Sequence, residues 1–282
     1  MTTAPQQEAR PPRSPSIVPP PPQPHKPWYA TQIESATIFL DELGGMAILF
    51  RDATVASFAR PFEWREVVYQ LEQMGVRSVS IALITAVFVG MVMTVQFAFG
   101  LERFGATDYV GRVIGLSITR ELAPSLTALV VGSRIGSGMA AEIGSMAVTE
   151  QIDAIRALGA DPVKKLVTPR LIACVILIPV LALFADVVGF GGAMVVANLQ
   201  FDTPMGFFLR TALESINMQD FMSGLGKAPF FGVSIAMIGC YYGMHTRGGT
   251  EGVGRATTRT VVVSAISILI ADFMLTKLFL SL

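Results

Sequence analysis

The sequence predicts an all-α, polytopic membrane protein with five transmembrane helices preceded by an amphipathic interfacial helix. Three observations carry this. The 282 residues are 52% hydrophobic and only 15% charged, with a mean hydropathy of +0.56, which is too apolar for an ordinary soluble domain. Apolar runs of about 20 residues, the length that crosses a hydrocarbon core of about 30 Å, recur five times. Charged residues collect in the connections between those runs. Basic and acidic residues balance at 21 each, so net charge gives no reason to expect a nucleic-acid partner.

Taken in order, residues 1–30 contain "PPRSPSIVPPPPQPHKP", a proline-dense stretch that cannot bury a core and is expected to be a disordered tail. Residues 31–77 form a surface region. Between about 35 and 58, Asp41, Glu42, Arg51 and Asp52 interrupt the apolar patches too often for a membrane span. In "PFEWREVVYQLEQMGVR" (61–77), Trp64, Val67, Val68, Leu71 and Met74 recur at helical spacing opposite Glu63, Glu66, Gln70 and Gln73. Trp and Arg flank this apolar face, as in a helix lying at a membrane interface.

Residues 78–282 are the five-span domain, with spans expected at 78–100, 121–147, 171–199, 228–246 and 261–281. The connection 148–170 holds Arg156, Lys164, Lys165 and Arg170, and 247–260 holds Arg247, Arg255 and Arg259. The positive-inside rule puts these and the N-terminus in the cytoplasm, and puts 101–120, 200–227 and the C-terminus outside.

The second span raises a question of its own. Ala128, Gly132, Gly136, Ala140 and Gly144 stand four residues apart and form one stripe of minimal side chains. Such a ridge lets another helix approach closely, either within the chain or from a second copy. Arg134 and Glu142 lie in the same apolar stretch. A charge at mid-bilayer costs about 2.5–3.5 kcal/mol even on permissive insertion scales, so both must face a bundle interior, a partner or water. Glu142 and Glu150 fall on broadly the same helical face near the cytoplasmic end.

Beyond this span, "VTEQIDAIRALGADPVKKLVTPR" places Glu150, Asp153, Arg156, Asp161, Lys164 and Lys165 around Ile152, Ile155, Leu158 and Val163. The spacing predicts a short amphipathic helix at about 150–160, closed by Gly159 and followed by a new start at Asp161–Pro162. A helix of this kind can seat in a groove on a soluble partner and transmit its movement.

Several chemistries are excluded. Cys174 and Cys240 lie in apolar runs without CxxC spacing, and His25 and His245 stand apart from other ligand types, so no metal site is expected. "GLGKAPF" (224–230) lacks the upstream glycine and the following Ser or Thr of a phosphate-binding loop. With no Ser-His-Asp set either, the chain is read as non-catalytic and without a cofactor of its own; any ATP is used by a partner. A rival reading comes from Asp186 in the third span and Asp272 in the fifth, with Lys277 beyond it. Intramembrane acids mark ion relays in gradient-driven secondary transporters. The alternative for each acid is a hydrogen bond to a neighbouring Ser, Thr or Lys.

"RELAPSLTALVVGSRIGSGMAAEIGSMAVTEQIDAIRALGADPVKKLVTPR" (120–170) and "GRATTRTVVVSAISILIADFMLT" (254–276) resemble the MlaE (YrbE) permease family. These are membrane subunits of ABC transporters that work with MCE-domain proteins in phospholipid trafficking. The resemblance covers about 60–282. It implies a homodimer in the bacterial inner membrane and a cytoplasmic ABC ATPase engaged by the helix carrying Glu150, Asp153 and Arg156. It also implies a phospholipid cavity opening toward a periplasmic MCE-domain protein. Arg120 and Glu121 match the family's charged pair at the outer end of the second span, where a lipid headgroup would be handled. Arg255 and Arg259 match its basic segment before the last span.

Overall fold

A computed structural model describes residues 28–58 and 63–281. The expected proline-rich tail lies, up to residue 27, outside the described residues. All secondary structure among the described residues is helical. Helix α1 spans Trp28–Phe58, so residues 28–30, expected in the tail, are helical. Helix α2 runs from Trp64 to Glu102. After a short turn come α3 (Val110–Ser117), a π-helical segment (Ile118–Leu126) and α4 (Thr127–Val148), which continue one another. Next are α5 (Gln151–Ala157), a second π segment (Val163–Val167), α6 (Thr168–Phe201), α7 (Met205–Ser215), α8 (Met218–Met244) and α9 (Gly249–Ser281).

Five of these helical stretches are long and apolar enough to cross a membrane, and they contain the five expected spans nearly whole. Three boundaries differ from expectation. From Trp64 on, the expected interfacial helix and the first span are one unbroken helix, because nothing between Met74 and Ile81 breaks the pattern: Gly75 simply lets Leu177 approach. Within its first turns Val67 is buried, whereas Trp64 and Val68 are exposed. The connection 101–120 is not a loop, since α3 buries Val110 and Ile114. The connection 200–227 contains α7, which buries Phe208 and Ala212. Gly111 and Gly115 of α3 bring the two short helices together, with Thr211 and Ala212 directly opposite. Short amphipathic helices of eight and eleven residues fall below the length at which an apolar run stands out in sequence.

Two apolar clusters hold the described residues from Leu43 onward together. The larger is built around Val131, Ile135, Ile143, Leu171, Ile178, Phe231 and Ile235, and reaches Leu49 and Ala53 of α1. The smaller, around Ala98, Ile114, Ile118, Ala193 and Phe208, lies toward the α3 and α7 end. The most extensive pairing joins α2 to α6. It is made close by glycine: a methyl group on Gly90 would sit 2.1 Å from the carbonyl oxygen of Gly189. In lipid, where apolar burial alone gives helices little reason to associate, such backbone approach supplies dispersion contact instead.

Candidate functional site

The π segment Ile118–Leu126 widens the second span just where its charges lie. Pro124 stands inside it and has no N–H to offer the helix ladder, so the regular pattern fails locally. π-helical turns of this kind concentrate at functional positions. Here the segment presents Arg120, Glu121 and Ser125 to α8 and α9.

Lys227 of α8 is at the centre of the resulting cluster, its side chain 1% exposed. Its ammonium donates to Glu121 Oε2 at 2.7 Å and to Thr276 Oγ1 at 2.7 Å, and lies 3.3 Å from Asp272 Oδ1. All three donors are thereby used. Thr276 Oγ1 is 3.2 Å from Glu121 Oε1, and Ser125 Oγ is 3.0 Å from Asp272 Oδ2. Beside the cluster, Arg120 pairs with Asp220 at 2.7 Å. Asp220 also accepts from the Asn217 backbone N–H at 2.9 Å in the box that caps α8. Arg120 and Glu121 therefore do not pair with each other. Each reaches across to α8, and together they tie the π segment to two other helices.

This settles part of the reading of the intramembrane acids. Asp272 takes its partners from Lys227 and Ser125, not from Lys277 one turn along its own helix. Asp186, on α6, belongs to none of these pairs, and its Oδ1 is buried without a hydrogen-bond partner. Next to it on α6, Ala185 and Gly189 line a narrow apolar crevice with Ala82, Ala86, Gly90, Leu122 and Leu126. Lys227 is the residue that sequence reasoning missed; the available signal was a lone lysine at the start of an apolar run, noticed only as a failed phosphate-loop motif.

The small-residue stripe is occupied within the chain. A methyl group on Gly132 would meet Ile235 and Ile268, one on Gly136 would meet Thr260 and Ile235, and one on Gly144 would meet Thr246. Ala128 and Ala140 are fully buried. The stripe seats α8 and α9, so of the two partners open to it in sequence the intrachain one occupies it. The alternative use, as a dimer interface, is corrected by the burial of all five residues.

At the other end, Arg134 donates to Ser78 of α2 at 2.8 Å. Glu142 pairs at 2.9 Å with Arg170, whose side chain is only 4% exposed and whose second amino group donates to the Leu166 carbonyl. Glu150 adopts a left-handed conformation, φ +59°, and makes the corner between α4 and α5. Beyond it α5 buries Ile152 in the larger core. Asp153 and Arg156 form an exposed ion pair at 3.1 Å on the opposite side. Gly159, at φ +79°, ends the helix, and Asp161 Oδ1 accepts from the Val163 N–H at 2.9 Å to start the next. Leu158, expected on the apolar side, instead stands 86% exposed. The helix ends at Ala157 after about two turns, so Leu158 falls in its C-terminal cap and stands clear of the apolar face that Ile152 and Ile155 form. Arg255 pairs with Glu251 at 2.9 Å, and the Arg259 guanidinium stacks over the Tyr242 ring. Among the described residues no group of three or more His, Cys, Asp or Glu side chains could hold a metal ion.

Residues 67–278 match the family model described as Permease MlaE. A probable ABC transporter permease protein of Synechocystis sp. is 45% identical over 214 residues, covering 76% of this chain and 81% of the relative. A probable ABC transporter permease protein of Rickettsia conorii is 39% identical over 251 residues, covering 89% of this chain and 97% of the relative. The chloroplastic protein Trigalactosyldiacylglycerol 1 of Arabidopsis thaliana is 39% identical over 216 residues, 77% of this chain and 62% of that protein.

Proposed function

The chain belongs to the MlaE permease family, and from that premise we propose that it moves phospholipid between the bacterial inner membrane and a periplasmic MCE-domain partner. A permease is a transport component rather than an enzyme, and relatives named as ABC transporter permeases support a separate ATPase as the source of energy. The name of the Arabidopsis relative is that of a lipid, which supports a lipid cargo.

The observation that carries the mechanism is the pairing of an exposed lever with a braced gate. The lever is α5, anchored by Ile152 and offering Asp153, Arg156 and Leu158 to a cytoplasmic ATPase. It joins directly to α4, whose other end is the π segment bearing Arg120 and Glu121. Movement of α5 reaches that segment along one continuous helix, and a rigid element with two resting positions is what coupling requires. The crevice beside the segment is lined by apolar side chains but holds only about 20 Å³, so an acyl chain enters it when the helices part, and Arg120, 38% exposed, suits a headgroup. Two copies of the chain enclose the lipid. The N-terminus is cytoplasmic.

Purification of the tagged chain in mild detergent, followed by protein and lipid mass spectrometry, tests this. An ATPase, an MCE-domain protein and bound phospholipid are the expected companions. A chain that retains no ATPase after gentle crosslinking contradicts the proposal and favours a gradient-driven carrier, with Asp186 and Asp272 as the residues to change.

A further inference from the structure

A second polar feature lies on the opposite half of the chain from the Lys227 cluster. Tyr69, Gln73 and Arg77 of α2, Arg134 and Glu142 of α4, and Thr257 of α9 line an open groove of about 830 Å³. Its floor is apolar, made by Met74, Ile135 and Met139. Glu142 is neutralised by the buried Arg170 at 2.9 Å. Arg134 has only the neutral Ser78 hydroxyl as partner, and Arg77 makes no ion pair among the described residues. The groove thus offers two exposed, uncompensated guanidinium groups.

Its depth makes this informative. At 1.5 Å per residue, Arg134 stands about 20 Å along α4 from the helix end at Val148 and at the centre of the apolar run expected to span the membrane, 121–147. Charges at that depth pair, or line a hydrated path. A phosphate is the complementary group, because guanidinium binds it through parallel, charge-assisted hydrogen bonds.

We infer that this groove is a docking site for the phosphate-bearing headgroup of a phospholipid drawn from the cytoplasmic leaflet, upstream of the crevice beside the π segment. The inference rests on the reading of the chain as a phospholipid permease. It assigns to Arg77 and Arg134 a direct contact with cargo.

The test is photocrosslinking of the full chain in phosphatidylcholine nanodiscs that carry radiolabelled phosphatidylglycerol. A benzoylphenylalanine replaces Tyr69 at the groove rim or, in a parallel sample, Leu122 at the crevice. Labelled lipid is expected on both. Arg77→Gln, at an exposed and unpaired position that folding does not need, lowers the label at residue 69 about tenfold, the change expected for one lost charged hydrogen bond. Arg77→Lys retains most of it, and the label at residue 122 is unchanged. Equal labelling with and without Arg77→Gln overturns the inference, as does an adduct at residue 69 to a second copy of the chain in place of lipid. Label at residue 122 but none at 69 removes the groove and leaves the phospholipid reading standing. Label at neither removes both.

Discussion

The two charged regions of this chain are built on opposite plans. Around Lys227, three helical segments send their charges inward, and the acids and the base satisfy one another within the protein. On α5, Asp153 and Arg156 face outward, and Leu158 stands exposed at the end of the same helix. The same residue types thus serve cohesion in one place and, on the function proposed above, recognition in the other. The difference teaches how to tell them apart. A change in the first region should be read in stability, and a change in the second in partner binding with stability intact.

The largest effect is expected from Lys227→Met. It leaves the partly exposed carboxylates of Glu121 and Asp272 facing each other without their buried cation; breaking a fully buried ion pair from one side costs about 3–5 kcal/mol, and solvent at the two acids brings the loss to the lower end of that range or below it. Thermal unfolding of the detergent-purified protein should show this as a much lower midpoint. Adding Glu121→Gln and Asp272→Asn to Lys227→Met should restore most of the loss. If the single change is harmless, the cluster does not brace the π segment.

Next comes Gly90→Ala, where the new methyl meets the Gly189 carbonyl oxygen at 2.1 Å and backbone must move. Overpacking of this kind costs about 1–3 kcal/mol, again read by thermal unfolding. Leu158→Glu sharpens the comparison from the other side. Stability should stay within about 0.5 kcal/mol, as for a surface change. Recovery of the ATPase in a pull-down should fall about tenfold, as for the loss of an interface anchor. The smallest effect on stability is expected from Arg156→Ala. It removes an exposed pair worth about 0–1 kcal/mol, so an unfolding midpoint indistinguishable from that of the parent is the predicted result.

Much of the architecture was legible in the residues. Apolar runs locate spans because the bilayer imposes a length, and the charge change at Thr149–Glu150 located the corner into α5. Gly159 marked its end because the backbone there needs a positive φ, which glycine accepts without strain. What escaped was set by partners distant in sequence. Lys227 is unremarkable until α4 and α9 place Glu121 and Asp272 against it. The stripe from Ala128 to Gly144 announces close packing but cannot say which helix fills it; Ile235, Thr260 and Thr246 do. The outward turn of Leu158 follows from where the two-turn helix α5 stops, a boundary that periodicity does not locate. Nor does periodicity reveal the π segment, whose register change leaves the apolar pattern intact.

The most direct test of the account is a photocrosslink from position 158 in cells, with the crosslinker replacing Leu158 in the full chain. The account predicts one principal adduct, with an ATP-hydrolysing partner, abolished by adding Asp153→Lys. A crosslinker at Leu158 that captures no ATPase, while the protein remains folded and in the membrane, would contradict the assignment of α5 as the point where ATP energy enters.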